Sequence, residues 1–353
     1  MHNKIIYLGE RPIAENHAGS KARLDVDSIL FKRYAAPFMN MSLDMFKSSL
    51  SKAKYLSSFD SIKYMYKLLG LKNKNIVIQY PYLYNSILKY IFSSVLNHNK
   101  IIMIIHDIDM LRDISVKDSN RTIEDLNKCM LLIVHNSSMI NKLREIGVYT
   151  KMIELEVFDY LLEKNPKVYR KLGREVVFAG NLQKSRFLET IGMEKLKLVF
   201  NLYGPGFDKN LIKWRNVEYK GSYPPDIIPF QVQGSFGLIW DGTSINSCDG
   251  SYGHYMKFNN PHKLSLYIAA GLPVIVWKEA AIAKFVEKEN IGFCVNNLEE
   301  ISTIIDLMDE EKYNTFVNNL VPLQNKLCNG YFLNRALDKA ENILGLELSN
   351  NHQ

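Results

Sequence analysis

The sequence predicts an α/β protein built as two Rossmann-like parallel-sheet domains facing a cleft, and three observations carry that prediction. Short apolar runs alternate with helical segments through both halves, the pattern of a doubly wound parallel sheet. The chain has 353 residues, more than the roughly 250–300 over which a single hydrophobic core stops growing, so two cores are expected. In the second half the apolar runs lead into small-residue loops, which lie where such sheets bind ligands, at the carboxyl ends of the strands.

Composition narrows the class. Apolar residues make up 47% and charged residues 23%, proportions of an ordinary soluble globular protein. No apolar stretch approaches the roughly 18 residues of a membrane span. The opening residues lack a signal-type apolar region and cleavage site, so a cytoplasmic location is expected. Cys129, Cys248, Cys294 and Cys328 are far apart and have no His at ligand spacing, which argues against a disulfide framework or a zinc site. The net charge of +7 is dispersed; it favours anionic small molecules or an anionic membrane surface, and no nucleic-acid signature accompanies it.

In chain order, Lys4–Leu8 reads as a strand, Asn16–Lys21 as a loop and Ala22–Leu30 as a helix, the opening unit of a nucleotide- or sugar-binding domain. No G-x-G-x-x-G accompanies it. Phe46–Leu69 is basic and amphipathic, with Leu50, Tyr55, Phe59, Ile62, Met65 and Leu69 at helical spacing. Such a segment covers a sheet, forms a subunit contact in a homo-oligomer, or lies peripherally on a membrane. Strands follow at Ile76–Tyr80, Ile101–Ile105 and Leu131–His135. Tyr149–Gly173 reads as the domain connection, where the apolar period fades and Asn165-Pro166 marks a turn.

The division expected is residues 1–155 and 156–330, the first binding an acceptor and the second a nucleotide-sugar. In the second, Val176–Phe178 leads into Gly180-Asn181-Leu182-Gln183-Lys184, Leu198–Leu202 into Gly204-Pro205-Gly206, and Phe236–Trp240 into Asp241-Gly242-Thr243. Val274–Trp277 and Gly292–Val295 complete the set. After Asn329-Gly330, a stripe from Leu333 to Leu348 predicts a terminal helix over 331–350 that crosses back onto the first domain.

The most informative stretch is Asn259–Val276. Asn260 suits an N-cap and Pro261 the first helical position, with Leu264, Tyr267, Ile268 and Gly271 on a buried face. Gly271 then closes the helix and Leu272–Val276 is a strand-type run. Lys263 sits in the first turn, at the positive end of the helix dipole, where a cation is unfavourable unless an anion binds. Backbone N–H groups, dipole and ammonium together describe a phosphate site.

With these residues in hand, the chain resembles a GT-B glycosyltransferase, in particular the bacterial glucosyltransferases that extend O-linked GlcNAc on serine-rich repeat adhesins and the related galactofuranosyltransferases. The resemblance rests on Ile-Ile-His-Asp at 104–107, Phe-Ala-Gly-Asn-Leu at 178–182, Tyr-Pro-Pro-Asp at 223–226, Gly-Ser-Phe-Gly-Leu-Ile-Trp at 234–240 and His-Lys-Leu through Val276 at 262–276. It implies transfer of a glucose- or galactofuranose-type hexosyl group from a UDP-sugar to a saccharide or a glycosylated serine-rich protein, with no metal cofactor required. It also implies that Lys184 and Lys263 meet the diphosphate and that Tyr223 lines the nucleotide pocket. Gly180, Asn181 and His262 lie beside those positions, and Ser20 and Lys21 would close over the donor from the first loop. Lysines after a strand-end glycine and at a helix N-terminus suit a diphosphate on physical grounds as well.

Two other motifs invite different readings. Asp107-Ile108-Asp109 has the form of a metal-binding D-x-D, but a GT-A enzyme would leave the second parallel sheet without a purpose. Glu279 and Glu287 match E-x7-E, yet they follow Gly271-Leu272-Pro273 where retaining GT-B enzymes place the pair before it. An inverting reaction needs a base near the acceptor hydroxyl; Glu15, His17, His106 and Asp107 are the candidates at first-domain strand ends. A binding-class alternative is a catalytically silent GT-B subunit that partners another transferase, against which the two lysines argue.

Overall fold

The structure, a computed structural model, describes residues 5–11, 18–42, 66–81, 86–112, 119–167, 169–191, 196–210 and 214–345. Two six-stranded sheets organise it. The first contains β1 (Ile5–Arg11), β2 (Met39–Ser42), β3 (Asn75–Tyr80), β4 (Lys100–Ile105), β5 (Leu131–Val134) and β6 (Lys151–Glu154), in the spatial order β2-β1-β3-β4-β5-β6. The second contains β7 (Glu175–Ala179), β8 (Val199–Tyr203), β9 (Val217–Tyr219), β10 (Phe236–Ile239), β11 (Val274–Trp277) and β12 (Gly292–Val295), ordered β12-β11-β10-β7-β8-β9. Every strand pairing among the described residues is parallel.

Parallel sheets are covered on both faces, which explains why their strands read as continuous apolar runs. In β4, Ile102 and Ile104 enter one core cluster while Ile101, Met103 and Ile105 enter the other. The chain winds outward from β7 to β9 and then restarts at β10 on the other side of β7. That reversal opens a crevice at the carboxyl ends of β7 and β10, the usual ligand position in such sheets. The corresponding reversal in the first sheet lies between β1 and β3.

Several expectations need correction. The first helix spans Ala18–Tyr34, so Ser20 and Lys21 belong to helix rather than loop; Ala, Lys, Arg and Leu in that segment are good helix formers and carry the helix past the glycine. Three strands escaped the apolar reading: β2, β6 and β9 are short and lie at sheet edges, with no continuous apolar run to mark them. Glu15 and His17, most of Phe46–Leu69 and residues 346–353 lie outside the described residues. No helix among the described residues is long and apolar enough to cross a membrane.

The helix Tyr331–Leu344 returns against the first helix. Arg33 meets Asp338 at 2.6 Å and Glu341 at 2.8 Å. The buried Asp159 carboxylate accepts the backbone N–H groups of Phe332 at 3.1 Å and Leu333 at 2.7 Å, satisfying two otherwise orphaned donors in the first helical turn.

Candidate active site

The helix His262–Ala269 is set across the crevice by Tyr267. Gly237 in β10 makes room for it, because a Cβ there would lie 2.5 Å from the Tyr267 ring. The Tyr267 hydroxyl accepts the Ala179 N–H at 2.9 Å and donates toward the carbonyl oxygens of Leu238 and Val177 at 3.2 and 3.3 Å. One side chain thus ties the helix to both strands that border the reversal. Leu264, Tyr267 and Ile268 are fully buried, and each contributes about 1.5–3 kcal/mol of apolar burial that holds the helix in place.

This seat brings Lys263 over the strand ends. A Cβ on Gly180 would come 3.1 Å from Lys263 Cε, so the lysine stem lies directly across the glycine. Its ammonium is 3.5 Å from Asp241 at the end of β10 and 5.0 Å from the Phe178 ring centroid. The Asp241 pair is partly exposed and worth at most about 1 kcal/mol, which leaves the ammonium free to turn toward a stronger anion. Pro261, and not Asn260, occupies the N-cap, and no side chain caps the helix. Asn260 is instead buried and bonded to the first sheet. Leu264 N–H donates to Pro261 O at 3.0 Å, which leaves the N–H groups of His262 and Lys263 without a side-chain acceptor, as an anion site requires.

The loops around Gly180 are closely packed. Gly180 N–H donates to Tyr203 O at 3.0 Å, and Gly204, at φ +129°, passes so near that a Cβ would lie 1.9 Å from Gly180 O. The Asn181 side chain accepts the Lys184 N–H at 3.2 Å and shapes the turn that presents Lys184. Lys184 Nζ lies 5.8 Å from the Tyr252 ring centroid. Tyr223 stands at the adjoining strand end, its ring centroid 6.4 Å from that of Tyr203. Gly180, Asn181, Lys184, Tyr223, His262 and Lys263 therefore share the carboxyl edge of the second sheet.

Lys21 does not join them as an open cation. It is buried, with its ammonium 2.7 Å from Asp25, 2.7 Å from Asp226 and 2.8 Å from Leu161 O. All three donors are engaged, so the residue fastens the Tyr223-Pro224-Pro225-Asp226 loop to the first helix. Tyr160 reinforces that tie by donating to Pro225 O at 2.5 Å. Desolvation raises the Asp25 carboxyl to about 6 despite the Lys21 charge.

At the first sheet, His106 and Asp107 follow β4. His106 Nε2 is 2.7 Å from Gln79 Oε1, and its ring stacks on Phe158 at 5.3 Å. Burial, aided by Arg23, holds its pKa well below the ordinary histidine value, so the ring is neutral near pH 7. His262 stacks on Tyr160 at 5.1 Å; burial, with Lys21 nearby, pulls it down to about 3. Its buried Nε2 has no partner among the described residues.

Asp107 Oδ2 is paired with Arg112, whose guanidinium also lies 3.7 Å from Asp109. The D-x-D carboxylates thus share a guanidinium. Asp107 Oδ1 is buried and without a partner among the described residues. Arg112 lies over the rings of Tyr252 and Tyr255 at 5.6 and 5.3 Å, so Tyr252 sits between Arg112 of the first half and Lys184 of the second. Sequence reasoning placed Tyr267 on the buried face of its helix but not its bonds to both strands, and it gave no role to Gly237, Arg112 or Tyr252. Only Gly237, a glycine inside a strand run, carried a local signal, that of close approach.

Residues 11–157 match the N-terminal domain of the glucosyltransferase 3-like family and residues 176–340 its C-terminal domain. The chain is 32% identical over 346 residues to a beta-1,6-galactofuranosyltransferase of Escherichia coli K12, WbbI, spanning 95% of this chain and 98% of that one. It is 27% identical over 250 residues to glucosyltransferase 3 of Streptococcus parasanguinis, spanning 68% of this chain and 70% of the relative. Among solved structures it is similar to Anabaena HepE in complex with UDP-glucose, with a TM-score of 0.59 at 12% identity over 98% of this chain and 100% of the other.

Proposed function

The chain belongs to the glucosyltransferase 3-like family, and from that premise we propose how its GT-B fold transfers a hexosyl group from a UDP-sugar to a saccharide or glycosylated-protein acceptor. The observation that carries the reading is the placement of Lys263, on an uncapped helix N-terminus, across Gly180 and beside Asp241 at the sheet reversal. In this reading Lys263, Lys184 and the helix N–H groups hold the donor diphosphate, and Tyr223 lines the nucleotide pocket.

Asp107 is the general base. Arg112 fixes Oδ2, and the buried, unpartnered Oδ1 is the oxygen that takes the hydroxyl proton of an acceptor bound against it. The acceptor oxygen forms its bond to the anomeric carbon as the bond to the diphosphate breaks. UDP departs with the negative charge, which the two lysines and the helix dipole stabilise without a required metal. Neutral His262 lies beside this charge and adds no proton of its own near pH 7.

UDP-galactofuranose is the first donor to test, because the relative matched over nearly its full length is named a galactofuranosyltransferase; UDP-glucose is the second. Turnover of one donor onto a saccharide panel, unaffected by EDTA, with NMR of the product's anomeric configuration showing inversion, is the expected result. UDP binding that saturates with no turnover on any donor and acceptor would mark a silent subunit. Loss in EDTA restored by Mn²⁺ would overturn the metal-free reading, and retention would overturn Asp107 as base.

A further inference from the structure

The turn that precedes Lys263 is bonded to the opposite sheet. Asn260 is buried, and its backbone N–H donates to His135 Nδ1 at 2.9 Å. Its side-chain amide donates to His135 O at 2.8 Å and to Glu156 O at 2.9 Å, while its Oδ1 accepts from Asn136 Nδ2 at 2.7 Å. Asn136 also donates to Phe258 O at 2.9 Å, and two residues beyond Lys263 the Ser265 hydroxyl donates to Phe158 O at 2.7 Å. His135 Nε2 lies 3.1 Å from Ile105 O, an acceptor only, and its Nδ1 faces an N–H, a donor only. The ring is therefore the neutral Nε2–H tautomer. Burial agrees, holding the His135 pKa down to about 4.

These bonds fall at the one place where Asn260 would otherwise have capped the helix. A capping asparagine would put its oxygen over the first-turn N–H groups and compete with an anion for them. Here the side chain is turned away and spent on the segments that follow β5 and β6, so the turn is anchored while the N–H groups of His262 and Lys263 keep no side-chain acceptor. The consequence reaches the ammonium directly, because Lys263 follows Asn260 by three residues and its stem must lie across Gly180 to meet the crevice.

We propose that Asn260, paired with His135, is a positioning residue for the donor diphosphate: it fixes the first turn of the lysine-bearing helix against the first sheet, so that the half holding the acceptor sets where Lys263 points. The inference rests on the diphosphate role given to Lys263 above. It implies that donor binding in this chain depends on both halves, although the residues assigned to the diphosphate above all belong to the second.

A double-mutant cycle tests it. UDP affinity, donor KM and kcat are measured on the full chain for wild type, Asn260→Ala, Lys263→Ala and the double variant. Asn260→Ala should weaken UDP about 10-fold, the scale of one or two lost hydrogen bonds, and raise donor KM more than it lowers kcat. In the Lys263→Ala background the same change should cost less than about 2-fold, since there is no ammonium left to misplace. Independent, additive losses would overturn the proposal, as would unchanged UDP affinity in Asn260→Ala. Unchanged affinity in Lys263→Ala would instead remove the underlying site reading. Should Asn260→Ala fold poorly, Ser265→Ala removes one bond from the same helix to Phe158 O. It should show the same coupling at about 2- to 5-fold, and additivity there would equally overturn the proposal.

Discussion

The carboxyl edges of the two sheets are furnished differently. In the second sheet the parts proposed to work are glycines, backbone N–H groups and lysines loosely held, as where Lys263 lies across Gly180 with a 3.5 Å partner in Asp241. In the first sheet they are side chains already committed to one another: His106 to Gln79, Asp107 to Arg112 and His135 to Asn260. The chemistry proposed for the two edges accounts for the contrast. A diphosphate asks for spread positive potential, which dipoles and flexible ammonium groups supply with tolerance for small displacements. An acceptor hydroxyl asks for one oxygen at hydrogen-bond distance, where an error of about 1 Å can cost 10²-fold, so its side must be held rigid by specific pairs.

Three substitutions test the contrast, from the acceptor edge to the donor edge. Asp107→Asn keeps the shape of the side chain and removes the proton acceptor; kcat at saturating donor should fall at least about 10²-fold while UDP affinity holds. Turnover within a few-fold of wild type would break the comparison at the first sheet and turn attention to Glu15, His17 or His106. Lys263→Ala removes a charge-assisted phosphate contact of about 1.5–3 kcal/mol, so kcat/KM should fall roughly 10- to 150-fold with weaker UDP binding. Lys184→Ala should cost roughly 2- to 10-fold, because its ammonium rests over the exposed Tyr252 ring whereas that of Lys263 rests over the buried Phe178 ring. A Lys184 loss exceeding that of Lys263 would reverse the ranking and move the diphosphate toward the loop after β7.

The same contrast governs what was legible in the sequence. Donor-side features are local: Pro261, His262 and Lys263 sit side by side, and Gly180 and Lys184 share one loop, so spacing alone brought them together. The helix start was off by one cap, because Asn260 forms its bonds with residues more than 100 positions away, and no local pattern carries a partner at that distance. Features at the first sheet's edge, the Asp107–Arg112 pair apart, are long-range. Arg112 meets Tyr252 and Tyr255 of the other half, and Lys21 reads from sequence as a cation free to close over the donor because its partner Asp226 is likewise remote. The central strands were legible because both their faces are buried, whereas β2, β6 and β9 carry too little apolar sequence to announce themselves.

The smallest expected effect lies at the joint between the halves, where Asp159 receives the terminal helix. Its carboxyl is buried, and desolvation, opposed in part by the Leu333 and Phe332 N–H groups, raises it to about 7. An aspartate in the unfolded chain titrates near 4. Between about pH 4 and pH 7 the folded state therefore holds the proton that the unfolded state has lost, and by linkage this group's contribution to stability falls as pH rises through that window. The neighbouring Asp25, raised to about 6, acts in the same direction. His135, lowered to about 4, acts in the opposite one, since below about pH 6.5 the unfolded chain takes up a proton that the folded ring refuses. The slopes offset one another, so the wild-type melting temperature is a poor witness to any of them. Asp159→Asn removes one slope and keeps an oxygen for the helix N–H groups. The variant's melting temperature minus that of wild type should therefore rise from pH 5 to pH 7, by at most about 1.4 kcal/mol per pH unit in stability. A difference that stays flat would mean that Asp159 is ionised across the range, its charge held by the first turn of the terminal helix, and that the joint is electrostatically as settled as the pairs at the edge of the first sheet.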